Sequence, residues 1–266
     1  MVAEDVARRF DSAEGRVPPE LLGAMRDACL EGGLAQRALL APAAARFCGA
    51  DPADALPAAA SVTMLSGAVG CHLGLEGMPL AGTSAGDICR KHGPVLAILA
   101  GDALVPMAMG VLAAECGRHS VMLVSAASVA MGTTGVLGSA SLLAGGSTSG
   151  DLPPELEDDQ GHMGLSPLAR FAAWGGALLA GAAREMADDC ALAGLHAGRA
   201  LDVLESDGPG PDRVFEARSE LDRARELVGT GQRADLFAAV IDAVGRHFPS
   251  RSDELFFRTA PPGDGV

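Results

Sequence analysis

The chain has 266 residues, of which 48% are apolar and only 3% aromatic, and its formal net charge is −14. This length is enough to bury a substantial core, and the apolar fraction excludes an intrinsically disordered chain. A nucleic-acid partner is not expected, because phosphate contacts need clustered Lys and Arg, base stacking needs aromatic rings, and the only lysine is Lys91.

Helix signals recur along the chain, whereas strand signals are scarce. Asp51-Pro52 and Ser166-Pro167 each place a capping residue before a proline at the first helical position. Further helices are predicted over 19–31, 34–48, 92–115, 119–145, 184–205 and 212–229. A last helix is predicted from six apolar residues at three- and four-residue steps: Leu236, Phe237, Val240, Ile241, Val244 and Phe248. The pattern predicts a single all-α domain over residues 1–257 and a frayed tail over 258–266.

Residues 121–146 carry no charge and are long enough to span a bilayer. They are rich in Ser, Thr and Gly, and neither an aromatic belt nor a basic flank borders them. We therefore predict a helix buried at the centre of a bundle and no stable membrane span.

The compartment is predicted from the N-terminus and from the cysteines. Residues 1–10 lack the apolar segment of a secretory signal, and the six cysteines form no CxxC pair. We expect a cytoplasmic protein, or one of the plastid stroma if it is a plant protein whose transit peptide has been removed.

Two local patterns point to chemistry. Residues Gly82–Gly86 match the GxSxG nucleophile elbow of serine hydrolases, with Ser84 as nucleophile, but the preceding residues make a poor strand and the βαβ alternation of that fold is missing. Asp202 and Glu205 share a helical face and, with Asp207 nearby, could hold a divalent metal. An exposed helix end explains the same three acids equally well.

A longer series of matches resembles the trans-isoprenyl diphosphate synthase (polyprenyl synthetase) family. Residues 97–104 (AILAGDAL) are similar to the helix that follows this family's first aspartate-rich motif. The other matches occur in the family's order over roughly residues 20–245: 32–38 for GGKRxRP, His72 and Met78 for the ends of HDDxxxMD, 132–135 for the helix before GGQ, 175–181 for the helix after KTG, and 201–203 for the end of DDxxDV. The resemblance implies an isoprenoid-synthase-like bundle of roughly eight to ten helices.

The charged groups of that family are largely missing. Its members use two aspartate clusters to hold magnesium on an allylic diphosphate and basic residues to grip the second diphosphate, so that cations stabilise the departing charge. The first cluster is degenerate here at His72, Leu73, Gly74 and Pro79. The other replaced positions are Leu34 and Ala35 for the basic pair of GGKRxRP, Ser84-Ala85-Gly86 for RRG, and residues near Gly164 and Ala140 for the KTG lysine and the GGQ glutamine. The resemblance leaves Arg37 as a substrate-binding candidate, and Asp202, Glu205 and Asp207 as a remnant metal site.

These losses imply that the isolated chain does not run normal prenyl transfer, because apolar side chains cannot neutralise a buried diphosphate. The resemblance favours a non-catalytic subunit, similar to the small subunits of plant geranyl and geranylgeranyl diphosphate synthases. Such a subunit pairs with an active trans-prenyl diphosphate synthase as a heterodimer, and it modulates chain length or flux. A homodimer is the alternative assembly. The CxxxC pairs of those small subunits are absent, with other residues near their positions: Ala41, Ala45, Arg170 and Trp174.

Three other functions stay open. A diverged prenyltransferase or terpene synthase would act on an allylic diphosphate with a residual magnesium site, whereas the subunit hypothesis needs no cofactor. An isoprenoid-binding protein would keep an apolar cavity without chemistry. A serine hydrolase would act through Ser84.

Overall fold

The structure, a computed structural model, describes residues 1–31, 34–75, 85–144, 164–205 and 211–229. These ranges contain α-helices and no strand, which confirms the predicted all-α class. The α-helices are α1 (Val2–Asp11), α2 (Pro19–Leu30), α3 (Leu40–Phe47), α4 (Leu56–Leu73), α5 (Ala85–His92), α6 (Pro94–Glu115), α7 (Ser120–Met131), α8 (Val136–Ala144), α9 (Ser166–Leu179), α10 (Arg184–Glu205) and α11 (Pro211–Val228). Three short 3₁₀ helices cover Leu34–Leu39, Pro52–Ala55 and Gly117–His119. The helix predicted over 236–248 and the tail over 258–266 lie outside the described residues.

Helix α4 lies at the centre of the bundle and packs against α2, α6 and α9. All but one of its residues from Ala58 to Leu73 are buried. Its small side chains let neighbouring backbones approach closely: a Cβ atom at Gly67 would lie 3.2 Å from the carbonyl oxygen of Ala28 in α2. The predicted start is confirmed, since the Asp51 carboxylate accepts the N–H of Ala53 at 2.9 Å and the Pro52–Ala55 turn leads into α4.

The single helix predicted over 119–145 is wrong, because α7 ends at Met131 and α8 begins at Val136. The backbone turns out of the helix at Gly132, whose ψ is −153°. The turn that leads into α8 packs closely against the end of α7, so a Cβ atom at Gly135 would overlap the Ala130 carbonyl oxygen. The central position predicted for this stretch is also wrong: Val121 is 83% exposed, and α4 occupies the centre instead.

The start predicted at Ser166-Pro167 is correct, but the capping group is not Ser166. The Ser166 hydroxyl is buried without a hydrogen-bond partner. The N–H groups of Leu165 and Ser166 instead donate to the carboxylate of Asp202, in α10, at 2.9 Å each. A side chain from another helix therefore caps α9, which sequence neighbours do not reveal.

Within the described part of the chain, three stretches are long and apolar enough to cross a membrane: Pro52–Leu73, Pro94–Glu115 and Gly117–Ser141, the last of which contains the turn between α7 and α8. In the first stretch, 83% of the apolar 18-residue window is buried inside the bundle, which accounts for its apolar character. The other two are only 39% buried. Their exposed apolar residues are described with the candidate site, and the absence of a stable membrane span stays a prediction.

Candidate functional site

Three predicted site residues meet although they are far apart in the sequence. Arg37 lies on the 3₁₀ helix Leu34–Leu39, which packs against α4 and α9. Asp202 and Glu205 lie on the last turn of α10, three residues apart and on the same face, as the sequence predicted. The fold brings the basic candidate and two of the acidic candidates into one cluster, which we call the Arg37 triad.

The triad is a buried cluster in which one guanidinium binds two carboxylates, while Arg37 Nε has no hydrogen-bond partner among the described residues. Arg37 is completely buried, and its Nη2 donates to Asp202 Oδ1 at 2.5 Å and to Glu205 Oε2 at 2.8 Å. Its Nη1 donates to Glu205 Oε1 at 3.1 Å, so the guanidinium binds Glu205 in a fork-to-fork arrangement. Burial alone would lower the pKa of Arg37, but the charges of Glu205 and Asp202 outweigh it and raise that pKa above its ordinary value. Arg37 is therefore charged, and its charge faces acids of its own chain.

Asp202 has further partners at the start of α9. Its Oδ1 accepts the N–H of Leu165 and its Oδ2 accepts the N–H of Ser166, both at 2.9 Å. An anion at this position also interacts favourably with the positive end of the α9 dipole. The backbone of Gly164 lies directly on the carboxylate, where a Cβ atom would overlap it. The position near the resembled family's KTG lysine thus admits no side chain unless Asp202 moves.

The residues of the degenerate first cluster end α4. His72 Nε2 lies 3.2 Å from Asp102 Oδ1 in α6, and its ring packs against Gly101. Leu73 is buried, and Gly74 donates its N–H to the carbonyl oxygen of Gly70 at 3.0 Å. The cluster's last member, Pro79, lies outside the described residues. The partner of His72, Asp102, belongs to the AILAGDAL segment but was not singled out from the sequence.

The remaining candidates are only partly placed by the structure. Asp207 and Ser84 lie outside the described residues. The described chain resumes after Ser84 with α5, and the described ranges contain no strand of the kind that a nucleophile elbow requires. Among the described residues, no group of three or more His, Cys, Asp or Glu side chains is arranged to hold a metal ion. A metal site at Asp202, Glu205 and Asp207 stays a prediction.

A second feature, which the sequence did not predict, is the set of exposed apolar residues on α6 and α7. These two helices are neighbours, and the Ser128 hydroxyl in α7 lies 3.9 Å from Met109 Sδ in α6. Each leaves large apolar side chains exposed, which we call the apolar stripes: Val95, Ile98 and Leu99 on α6, and Val121, Met122 and Val129 on α7. The signal was present in the uncharged run 121–146, which we interpreted as a central helix.

No protein-family model and no curated protein sequence matches the chain. Solved structures do match it. The geranyl diphosphate synthase small subunit of Antirrhinum majus is similar with a TM-score of 0.73 at 19% identity, over 91% of this chain and 96% of that chain. The FPP/GFPP synthase of Zymomonas mobilis gives 0.75 at 22% identity, over 91% and 96%. A deletion mutant of the heterotetrameric geranyl pyrophosphate synthase of mint gives 0.69 at 20% identity, over 90% and 97%.

The chain has the fold of the trans-prenyl diphosphate synthases. The prenyl-synthase fold confirms the isoprenoid-synthase-like bundle that the short motif matches implied. The similar structures include both synthases and a small subunit, so the shared fold leaves the activity of this chain open. The choice between those roles depends on the Arg37 triad and the apolar stripes.

Proposed function

We propose that the chain is a non-catalytic subunit that pairs with an active trans-prenyl diphosphate synthase and modulates the chain length or flux of its isoprenoid product. The observation that carries this proposal is the Arg37 triad. Its three members are the surviving charged candidates that the structure describes, and they bind one another. A site whose charges are paired internally has none to offer a diphosphate.

The cost of separating the triad argues against diphosphate binding at this site. Turning Arg37 towards a substrate would leave the carboxylates of Asp202 and Glu205 without their cation, at a cost of about 3–5 kcal/mol for a broken buried pair. A diphosphate carries several negative charges, and their burial is costly unless they are paired and hydrogen-bonded. In the first cluster the described positions hold His72, Leu73 and Gly74, and His72 already faces Asp102. These residues give a diphosphate no cluster of metal ions to bind.

The apolar stripes support an association function. Large exposed apolar side chains are candidates for subunit contacts, because permanent subunit interfaces are more apolar than the remaining surface. In α6 the only charged residues are Asp102 and Glu115, and α7 has none. A partner with an apolar face of its own fits this surface. Proteins with the same fold include a heterotetrameric synthase and a small subunit, which favours a synthase as that partner.

A lipid surface fits the stripes less well than a protein does. Helices that lie in a membrane interface use Lys and Arg on the polar face to bind anionic lipids. Neither α6 nor α7 contains Lys or Arg, and the chain has a net charge of −14. Both helices also bury their other face in the core through residues such as Leu104 and Leu123. The charge pattern therefore favours a protein partner.

The proposal is tested by co-expressing the tagged chain with an active trans-geranylgeranyl diphosphate synthase and separating the expressed proteins by gel filtration. We expect the two chains to co-elute. Val121→Glu should abolish co-elution, because it places a charge in a stripe, while the matched control Leu192→Glu, at an exposed leucine of α10, should not. Elution of the wild-type chain as a free monomer beside the synthase would contradict the proposal, and elution as a homodimer would identify a second copy as the partner.

A further inference from the structure

The prenyl-synthase fold implies a magnesium ion near the end of α10, and the residues present can be tested against it. Magnesium binds oxygen ligands in a strict octahedron. Here all four carboxylate oxygens of Asp202 and Glu205 already accept an N–H: from Arg37 on three oxygens, and from Leu165 and Ser166 at Asp202. A divalent ion would also meet the positive charge of a fully buried guanidinium. Asp202 and Glu205, the two members of the predicted metal site that the structure describes, therefore do not fit magnesium.

The groups around Asp202 and Glu205 supply positive charge without a metal. Two carboxylates carry two negative charges, and both side chains are largely withdrawn from solvent. Arg37 supplies one positive charge, and the two N–H groups at the positive end of α9 supply further stabilisation. The guanidinium also contacts both acids at once.

We infer that Arg37 is a built-in cation that replaces a divalent metal at Asp202 and Glu205. While the guanidinium is present, these carboxylates bind no magnesium, and its removal creates a divalent-cation site. The triad then has a structural role, because it ties together the 3₁₀ helix Leu34–Leu39, the start of α9 and the end of α10. This inference concerns contacts within one chain and holds whether or not the chain pairs with a synthase.

The test compares the full-length wild-type chain with Arg37→Gln in EDTA, Mg²⁺ and Mn²⁺, by thermal unfolding and by electron paramagnetic resonance of bound Mn²⁺. We expect the wild-type melting temperature to be the same in all three solutions. Arg37→Gln should melt roughly 10 °C lower in EDTA, since it leaves two buried carboxylates without their cation, and should recover part of that loss in Mn²⁺. It should bind Mn²⁺ at least about tenfold more tightly than the wild type, because a nearby unit charge no longer repels the ion.

Arg9 offers a matched control. It also bridges two carboxylates, those of Asp5 at 2.7 Å and Glu115 at 2.5 Å, but in another part of the bundle. Arg9→Gln should gain no Mn²⁺ affinity, because Asp5 keeps a second cation, Arg8, at 3.0 Å, and the Glu115 side chain is 42% exposed to water. If both variants gain it equally, or if Arg37→Gln binds Mn²⁺ no better than the wild type, the inference is wrong.

The wild-type measurement decides the question even if Arg37→Gln does not fold. Two results together would show that the carboxylates hold a metal beside Arg37. The wild type would bind Mn²⁺ tightly and have a melting temperature that depends on EDTA, and Asp202→Asn would lose the Mn²⁺ binding. That result overturns the inference and leaves the co-elution experiment unaffected. An unchanged wild-type melting temperature without Mn²⁺ binding supports the inference.

Discussion

The Arg37 triad and the apolar stripes stand in opposite relation to solvent. The triad keeps its charges inside the bundle and pairs them with each other. The stripes leave large apolar side chains in water on two neighbouring helices. A catalytic site needs available charge, and an interface needs available apolar surface. The triad pairs its charges internally and the stripes expose apolar surface, which is the combination that the proposed subunit function requires.

Removing Asp202 from the Arg37 triad should give the largest loss of stability. Asp202→Ala deletes the pairing with Arg37 and the cap of α9 together. We expect the free energy of unfolding to fall by about 3–5 kcal/mol, because a buried guanidinium loses one of its two partners. Urea denaturation measures this. Asp102→Ala, at an exposed acid paired with His72, should cost less than about 1 kcal/mol; equal losses for both variants would remove the contrast between buried and exposed charges.

Charges placed in the stripes should affect association and spare stability. Leu99→Glu on α6 and Val129→Glu on α7 should each weaken binding to the synthase partner by about 2 kcal/mol or more, as at interface hot spots. The free energy of unfolding of the isolated chain should change by less than about 0.5 kcal/mol, since both side chains are exposed. Biosensor titration and urea denaturation measure the two quantities. An affinity that neither substitution changes would show that the stripes are ordinary surface and would contradict the proposed interface.

Gly164 tests how tightly the backbone closes over the triad. Gly164→Ala introduces a Cβ atom that overlaps the Asp202 carboxylate, and we expect a loss of about 1–3 kcal/mol in the free energy of unfolding. Gly110→Ala in α6 is the control, because a Cβ atom there meets nothing within 4 Å. It should leave stability unchanged or raise it by up to about 1 kcal/mol through helix propensity. A tolerated Gly164→Ala would mean that Asp202 can move and that the triad is loosely held.

Glu220, a buried acid outside the triad, should give the smallest effect on stability, and only at acidic pH. It is buried between α10 and α11 and meets His196 Nδ1 at 2.7 Å and Arg223 Nη1 at 2.8 Å. Burial alone would raise its pKa, but the hydrogen bond and charge of His196, with the charges of the nearby arginines, lower that pKa below its ordinary value near 4.5.

A carboxylate with a lowered pKa stabilises the fold above its ordinary pKa, and the contribution is lost as the pH falls through the folded value. Between about pH 5 and pH 3 the wild type should therefore lose stability faster than Glu220→Gln as the pH falls. Urea midpoints at each pH measure the difference. Glu226→Gln, at an exposed acid of the same helix, should follow the wild-type curve. Identical curves for all three proteins would show that Glu220 plays no part in holding α11.

The sequence was sufficient for the fold because local signals and the global pattern agree. Proline starts, apolar periodicity and the order of short motif matches placed most helices and the class. The Arg37 triad could not be predicted, because its partners lie more than 160 residues apart and three-dimensional packing decides which of them meet. The cap of α9 was missed for the same reason. The stripes were not predicted because an uncharged run fits both a central helix and an exposed interface helix. In the structure α4 occupies the centre, and α6 and α7 keep one face exposed.

The central claim is that the chain acts by contact and has no prenyl transfer of its own. It is tested most directly by incubating isopentenyl diphosphate and an allylic diphosphate with Mg²⁺ and measuring product chain lengths for the chain alone, an active trans-prenyl diphosphate synthase alone, and their mixture. We predict no product from the chain alone and a shifted product length or rate in the mixture, with the shift abolished by Val121→Glu. Turnover by the isolated chain, or a mixture identical to the synthase alone at saturating chain, would contradict the account.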